Sequence, residues 1–212
     1  MIAVLLTGAA AVAGAARKIL VVGDSLSAGY GIEQQRGWVA LLGQRLRNED
    51  LDYTVVNASI TGDTTRGGLS RLPAALERED PDVLVIALGG NDGLRGFMPA
   101  QTRANLREMI RLGRAAGARV LLLGIRLPAN YGRAFGDKFH QVFLDLAAEE
   151  QVPLVPFFLE GVAETRALMQ ADGIHPAAEA QPRILDNVWA ALGPMLEPVP
   201  GKSLSGSPRA TN

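Results

Sequence analysis

A chain of 212 residues with 21 basic and 22 acidic side chains, no cysteine and two histidines has length enough for one domain with a sizeable core. The near-cancelled charge and the lack of a long basic run exclude nucleic acid as the main partner, because phosphate recognition needs clustered Lys and Arg. Without cysteine there is no disulfide frame, Cys-based metal site or thiol nucleophile, and His140 and His175 are too few for a histidine-rich zinc centre.

Residues 1–16, MIAVLLTGAAAVAGAA, are apolar and small, and Arg17-Lys18 follows. The run is short for a membrane-spanning helix. Ala13-Gly14-Ala15 fits the small-x-small cleavage pattern of a secretory signal, although no Lys or Arg precedes the apolar stretch. Read as a signal peptide, this segment predicts a periplasmic or secreted protein that starts near Arg17 and has no stable membrane insertion. The alternative reading is a helix or strand of the fold itself.

From Arg17 onward, short apolar runs alternate with helix-length segments. The runs are Ile19–Val22, Tyr53–Val56, Val83–Leu88, Val120–Leu123 and Val152–Val155. Apolar at nearly every position, they suit parallel strands covered on both faces. Between them Trp38–Arg47, Thr64–Arg78, Ala100–Ala116 and Arg133–Glu149 read as helices, with a last one over Ala177–Met195. This alternation predicts a doubly wound α/β domain over residues 17–196, with three layers, helix on sheet on helix. Residues 197–212 are rich in Pro, Ser and Gly and read as a disordered tail.

In such a sheet, ligands bind beyond the carboxyl ends of the strands. Four segments there carry chemistry: Gly23-Asp24-Ser25-Leu26, Asn57 to Asp63 with Gly62, Gly89-Gly90-Asn91-Asp92, and Asp172-Gly173-Ile174-His175-Pro176. A serine hydroxyl needs a base before it can attack a carbonyl. His175 can be that base, since Asp172 three residues earlier can fold back in a tight turn and hold Nδ1. Pro176 disfavours helix at His175, so Asp-x-x-His reads as a turn. The backbone N–H groups of Ser25 and Gly62 and the side-chain amide of Asn91 are candidate donors for an oxyanion.

Those four blocks, in that order, resemble the SGNH hydrolases, also called the GDSL family. Arg126 to Gly132 and Asp172 to Pro176 resemble in particular a bacterial periplasmic branch with thioesterase, protease, lysophospholipase and arylesterase members. The resemblance spans roughly Lys18 to Leu196. It implies a flavodoxin-like five-stranded parallel sheet in the order 2-1-3-4-5. It implies a catalytic triad of Ser25, Asp172 and His175, an oxyanion hole of Ser25, Gly62 and Asn91, and hydrolysis of acyl esters and thioesters through an acyl-enzyme. It also implies a monomer that needs no metal or cofactor.

Structural roles compete at several of these positions. Ser25 and Asn91 could each be a helix cap, Gly62 an ordinary turn glycine, and Asp24 a brace for its own turn. Asp92 could cap a helix, and Asp63 and Thr64 are expected to start one. His140 reads as a solvated helix residue, and Trp38 and Trp189 as helix core contacts. Leu94, Phe97, Leu127, Pro128 and Tyr131 follow the third and fourth strands and are candidates for an acyl pocket, or for routine packing. A carbohydrate O-acetyl esterase of the same fold is the alternative enzyme. A flavodoxin-like phosphate or flavin binder is disfavoured by the absence of a G-x-x-x-x-G-K-[ST] or G-x-G-x-x-G loop, and an α/β-hydrolase by the absence of a G-x-S-x-G elbow.

Overall fold

The computed structural model describes residues 16–196; the expected signal segment, apart from its last residue, and the expected tail lie outside the described residues. Five strands, β1 (Arg17–Gly23), β2 (Tyr53–Asn57), β3 (Val83–Ala87), β4 (Arg119–Leu123) and β5 (Leu154–Val155), form one sheet in the order β2-β1-β3-β4-β5. All four pairings are parallel, with Ile19 opposite Val55 on one side and Val83 on the other. The α/β architecture expected from the alternating pattern is therefore present, with the strand order implied by the resemblance.

Buried on both faces, β3 is apolar at all five positions, and β1 is fully buried from Ile19 to Val22. Helices α2 (Trp38–Asn48) and α7 (Gln181–Leu192) pack together on one face. Helices α3 (Thr65–Glu79), α5 (Pro99–Ala115) and α6 (Arg133–Glu150) cover the other. Each presents an apolar stripe at helical spacing, such as Leu106, Met109, Ile110 and Gly113 on α5.

Differences from the sequence reading have local causes. The fifth strand is two residues long, because Pro153 cannot donate to a ladder and the Val152 amide instead closes α6 onto Ala147. The predicted helix Ala177–Met195 is three pieces, with single 3-10 turns at Ala178–Ala180 and Gly193–Met195 flanking α7; Pro182 sits in its first turn and Pro194 follows its end. Two further helices, α1 (Ser25–Ala28) and α4 (Gly90–Leu94), are too short to leave a periodic signal.

Candidate active site

Strand order reverses at β1, whose neighbours are β2 and β3. The loops after these three strands meet there, and each holds one of the predicted donors. Asp24 caps α1, its Oδ1 accepting from the Leu26 amide at 3.1 Å. Ser25 is thus the first helical residue and not the cap, so its N–H has no intrahelical acceptor. The Ile60 amide donates to Gly23 O at 3.0 Å and fastens the Gly62 loop to the end of β1. Arg71 secures the same loop from α3, donating to Asp63 Oδ2 at 2.8 Å and Ala58 O at 2.5 Å.

Asn91 stands in α4. Gly89 before it has φ 121°, in a region where a side chain is strained, and an added Cβ would lie 2.9 Å from the Phe143 ring. One Asn91 N–H donates to the Asp63 carbonyl at 2.9 Å, and Nδ2 lies 3.3 Å from Asp24 Oδ2. Asn91 thus bridges the Asp63 carbonyl and the Asp24 carboxyl, the second through the longer hydrogen bond. Arg95 donates to Gly62 O at 2.9 Å and ties the two donor loops together. Asp92 does not cap its own helix. Fully buried, it accepts from the Thr65 amide at 2.8 Å and from the Thr65 hydroxyl, anchoring α4 to the start of α3, which Thr64 caps through Gly67 N.

The fourth loop is a hairpin. Met169 bridges Pro176 in antiparallel fashion, and Asp172-Gly173 forms its tip, with Gly173 at φ 68°. Asp172 Oδ1 accepts from the amides of Ile174 and His175 at 2.9 and 3.0 Å, and Oδ2 lies 2.7 Å from His175 Nδ1. An ionised carboxylate only accepts, so the ring proton sits on Nδ1. Nε2, left as an acceptor, lies 2.9 Å from Ser25 Oγ. The side-chain hydrogen bond to His175, aided by the two amides, holds the Asp172 carboxyl down at about 2. Asp24 behaves oppositely. Burial pushes it up to about 7 against the hydrogen bond from Leu26, with the charges of Asp63 and Asp92 pushing the same way and the Asn91 amide opposing.

A cavity of about 380 Å³ opens beside these groups. Leu26, Gly90 and Ile174, the chain neighbours of Ser25, Asn91 and His175, form its inner wall. Of the predicted pocket residues, Leu94, Leu127 and Pro128 line it, whereas Phe97 and the exposed Tyr131 do not. Its far wall comes from Phe157, Leu159, Ala163 and Met169 in the segment after β5. Sequence reasoning missed these because that segment is irregular; the apolar run Phe157-Phe158-Leu159 just beyond a strand end was the available signal.

Other partners also escaped it. The Tyr30 ring lies 4.4 Å from the His175 ring, centroid to centroid. Gln170 donates from Nε2 to the carbonyls of Tyr30 at 2.8 Å and Pro176 at 3.0 Å, while its own amide donates to His175 O. His140 is not a solvated residue: half-buried, its Nδ1 lies 3.1 Å from Ile125 O, and Arg126 reaches Nε2 at 3.5 Å. Trp38 is fully buried, but Trp189 lies only half-buried under the Arg45 guanidinium. Among the described residues no cluster of His, Asp or Glu has the makings of a metal site.

Residues 21–182 match the model of the GDSL-like Lipase/Acylhydrolase family. The chain is 59% identical over 182 residues to the esterase TesA of Pseudomonas aeruginosa, covering 86% of this chain and 90% of the relative. It is 48% identical over 193 residues to thioesterase 1/protease 1/lysophospholipase L1 of Escherichia coli, covering 91% and 90%. Its fold is similar to that of the psychrotrophic esterase EstA from Pseudoalteromonas sp., in a structure inhibited by monoethylphosphonate, with a TM-score of 0.81, 38% identity and 84% and 98% of the two chains covered.

Proposed function

The chain belongs to the GDSL-like lipase/acylhydrolase family and is an ester hydrolase, and on that premise we propose that it cleaves acyl esters and thioesters with Ser25 as nucleophile, His175 as base and Asp172 as the acid that orients the base. The observation that carries this reading is the unbroken chain from Ser25 Oγ to His175 Nε2 at 2.9 Å and from His175 Nδ1 to Asp172 Oδ2 at 2.7 Å, beside an apolar cavity. Inhibition of the similar EstA by a phosphonate supports it, because a phosphonyl group resembles the tetrahedral intermediate of acyl transfer.

As Ser25 Oγ attacks the carbonyl carbon, its proton passes to His175 Nε2, and the ionised Asp172 stabilises the imidazolium. Charge gathers on the former carbonyl oxygen, where the N–H groups of Ser25 and Gly62 and the amide of Asn91 receive it. Collapse expels the alkoxide or thiolate, which takes the proton from Nε2, and an acyl ester of Ser25 remains. A water then gives its proton to Nε2 and attacks this ester. The second collapse returns the proton to Ser25 Oγ and frees the carboxylic acid. The size and apolar lining of the cavity favour a fatty acyl chain over an acetyl group, so the carbohydrate O-acetyl esterase reading is the weaker one.

The test is a panel of p-nitrophenyl esters and acyl-CoAs of graded length, assayed on wild type and Ser25→Ala. Turnover of medium and long acyl groups by the wild type alone is expected. Equal rates for the two proteins would end the proposal. The proposal extends to a periplasmic or secreted protein, on the strength of the apolar residues 1–16; its N-terminal sequence after export checks this.

A further inference from the structure

Single exposed apolar side chains are ordinary on a protein surface; a confined group of them is not. Among the described residues the large apolar or tyrosine side chains more than a third exposed are Tyr30, Ile60, Met98, Tyr131 and Ile174, at 49, 53, 69, 37 and 40%. They stand on five different loops, and all five loops lie at the carboxyl edge of the sheet. Tyr30 follows α1, Ile60 precedes α3, Met98 caps α5, Tyr131 precedes α6, and Ile174 sits between Asp172 and His175. Contacts link these loops in two groups, the Tyr30, Ile174 and Tyr131 loops and the Ile60 and Met98 loops. Tyr30 lies on the His175 ring, Arg95 from the Met98 loop holds the Gly62 carbonyl of the Ile60 loop, and Ala129 and Ile174 share the cavity wall. The outer helical surfaces differ: α5 and α6 present Arg103 and Arg107 to Glu149, and α2 and α7 present Arg45 to Asp186.

These apolar tips, on five separate loops, form a rim along the carboxyl edge that also holds Ser25 and the apolar cavity, whose wall includes Ile174. Exposed Arg95 and Arg126 stand among them, with Glu164 at the cavity edge. A protein partner would call for a contiguous, well-packed patch of roughly 800 Å², whereas a lipid surface accepts scattered apolar tips with long cations between them. An acyl chain drawn from such a surface would enter the cavity without crossing water. We propose that this rim docks the enzyme reversibly, carboxyl edge down, on the surface of a bilayer or micelle that carries its substrate. The inference rests on the acyl-ester reading of the site and specifies how substrate reaches it. No described helix is long and apolar enough to cross a membrane, so the contact is peripheral.

The test uses the full chain as Ser25→Ala, which cannot turn over lipid, with phosphatidylcholine vesicles containing lysophosphatidylcholine. Ile60→Ser with Met98→Ser is the rim variant; both side chains face solvent, and serine at 98 is a favoured cap residue. Flotation of Ser25→Ala with the vesicles is expected, with a partition coefficient at least tenfold lower when the two rim changes are added. In the active background the rim variant should keep its kcat/KM on p-nitrophenyl acetate and lose activity on lysophosphatidylcholine micelles. No flotation, or equal flotation of both proteins, would overturn the proposal. So would a concentration-dependent dimer without lipid that the rim changes abolish, since the rim would then serve a second copy. Flotation without hydrolysis of any acyl ester would sink the reading of the active site and leave docking standing; hydrolysis without flotation would do the reverse.

Discussion

The side-chain amide of Gln170 donates to the carbonyl of Tyr30 at 2.8 Å, across 140 residues of sequence. It thereby fixes the hairpin that bears His175 against the turn that follows Ser25. Gln170 Oε1 lies where a Cβ on Gly31 would stand, 2.2 Å away, so the two segments are in close contact.

If Ser25 and His175 react as proposed, this bond is expected to make Gln170 a positioning residue. Gln170→Ala should lower kcat by roughly 10- to 100-fold, because small displacements of reacting groups are costly, and should leave KM for a soluble ester within about twofold. Gln170→Glu should be worse, since a carboxylate would face the two carbonyls. An unchanged kcat in a variant of unchanged Tm, or a loss confined to KM, would remove Gln170 from this role.

For the proposed triad, Ser25→Ala or His175→Ala should lower kcat by about 10³-fold or more while the fold is kept. The double variant should be no slower than the singles, since the two groups act as one unit. Single-turnover rates measure this, and additive losses would count against a shared proton path.

The Asp172 carboxyl, held down at about 2 by His175 and two backbone amides, stays ionised throughout the working range. With its folded value depressed, the stability it contributes is fully present above the ordinary value of 3.8 and is lost as pH falls through about 2. Asp172 should therefore add no step of its own to the acid limb of kcat/KM. A slope of two that persists in Asp24→Asn would mean that Asp172 titrates with the base.

At Asp24 the sign reverses. Its folded value is raised, to about 7 from 3.8, so the native state keeps the proton longer than the unfolded chain. Its effect on stability is most favourable below about 4, declines as pH rises toward 7, and is constant above. Asp24→Asn should remove this decline, so the variant should gain on the wild type between pH 4.5 and 8 in urea melts. Parallel pH dependence in the two proteins would show that burial does not raise this carboxyl.

Ala163 offers a test of the cavity, because its exposed position on the far wall can take a larger side chain without overpacking the core. Ala163→Phe should cut kcat/KM for long acyl esters about tenfold, a difference within reach of a few methylene contacts. The acetyl ester should react as before. A uniform loss across chain lengths would argue against this cavity as the acyl site.

What the sequence alone determined here is what short-range rules govern. Apolar runs such as Val83 to Ala87 demand burial on both faces, and their alternation with amphipathic helices leaves few architectures. Asp172 and His175, three residues apart with Gly173 between and Pro176 after, are confined to a turn in which one can hold the other. Even Asp24 could be read as the brace of its own turn.

Tertiary structure decided the rest. That Gln170 joins Tyr30, that Asp92 serves α3 and not its own helix, that one Asn91 N–H belongs to the Asp63 carbonyl, and that Phe157 and Met169 close the cavity all depend on where distant backbone arrives. A periodic pattern reports which face of an element is buried, since that repeats along the chain. It does not report which of many distant polar groups will meet a given amide, because that is set once, by the packing of the whole domain.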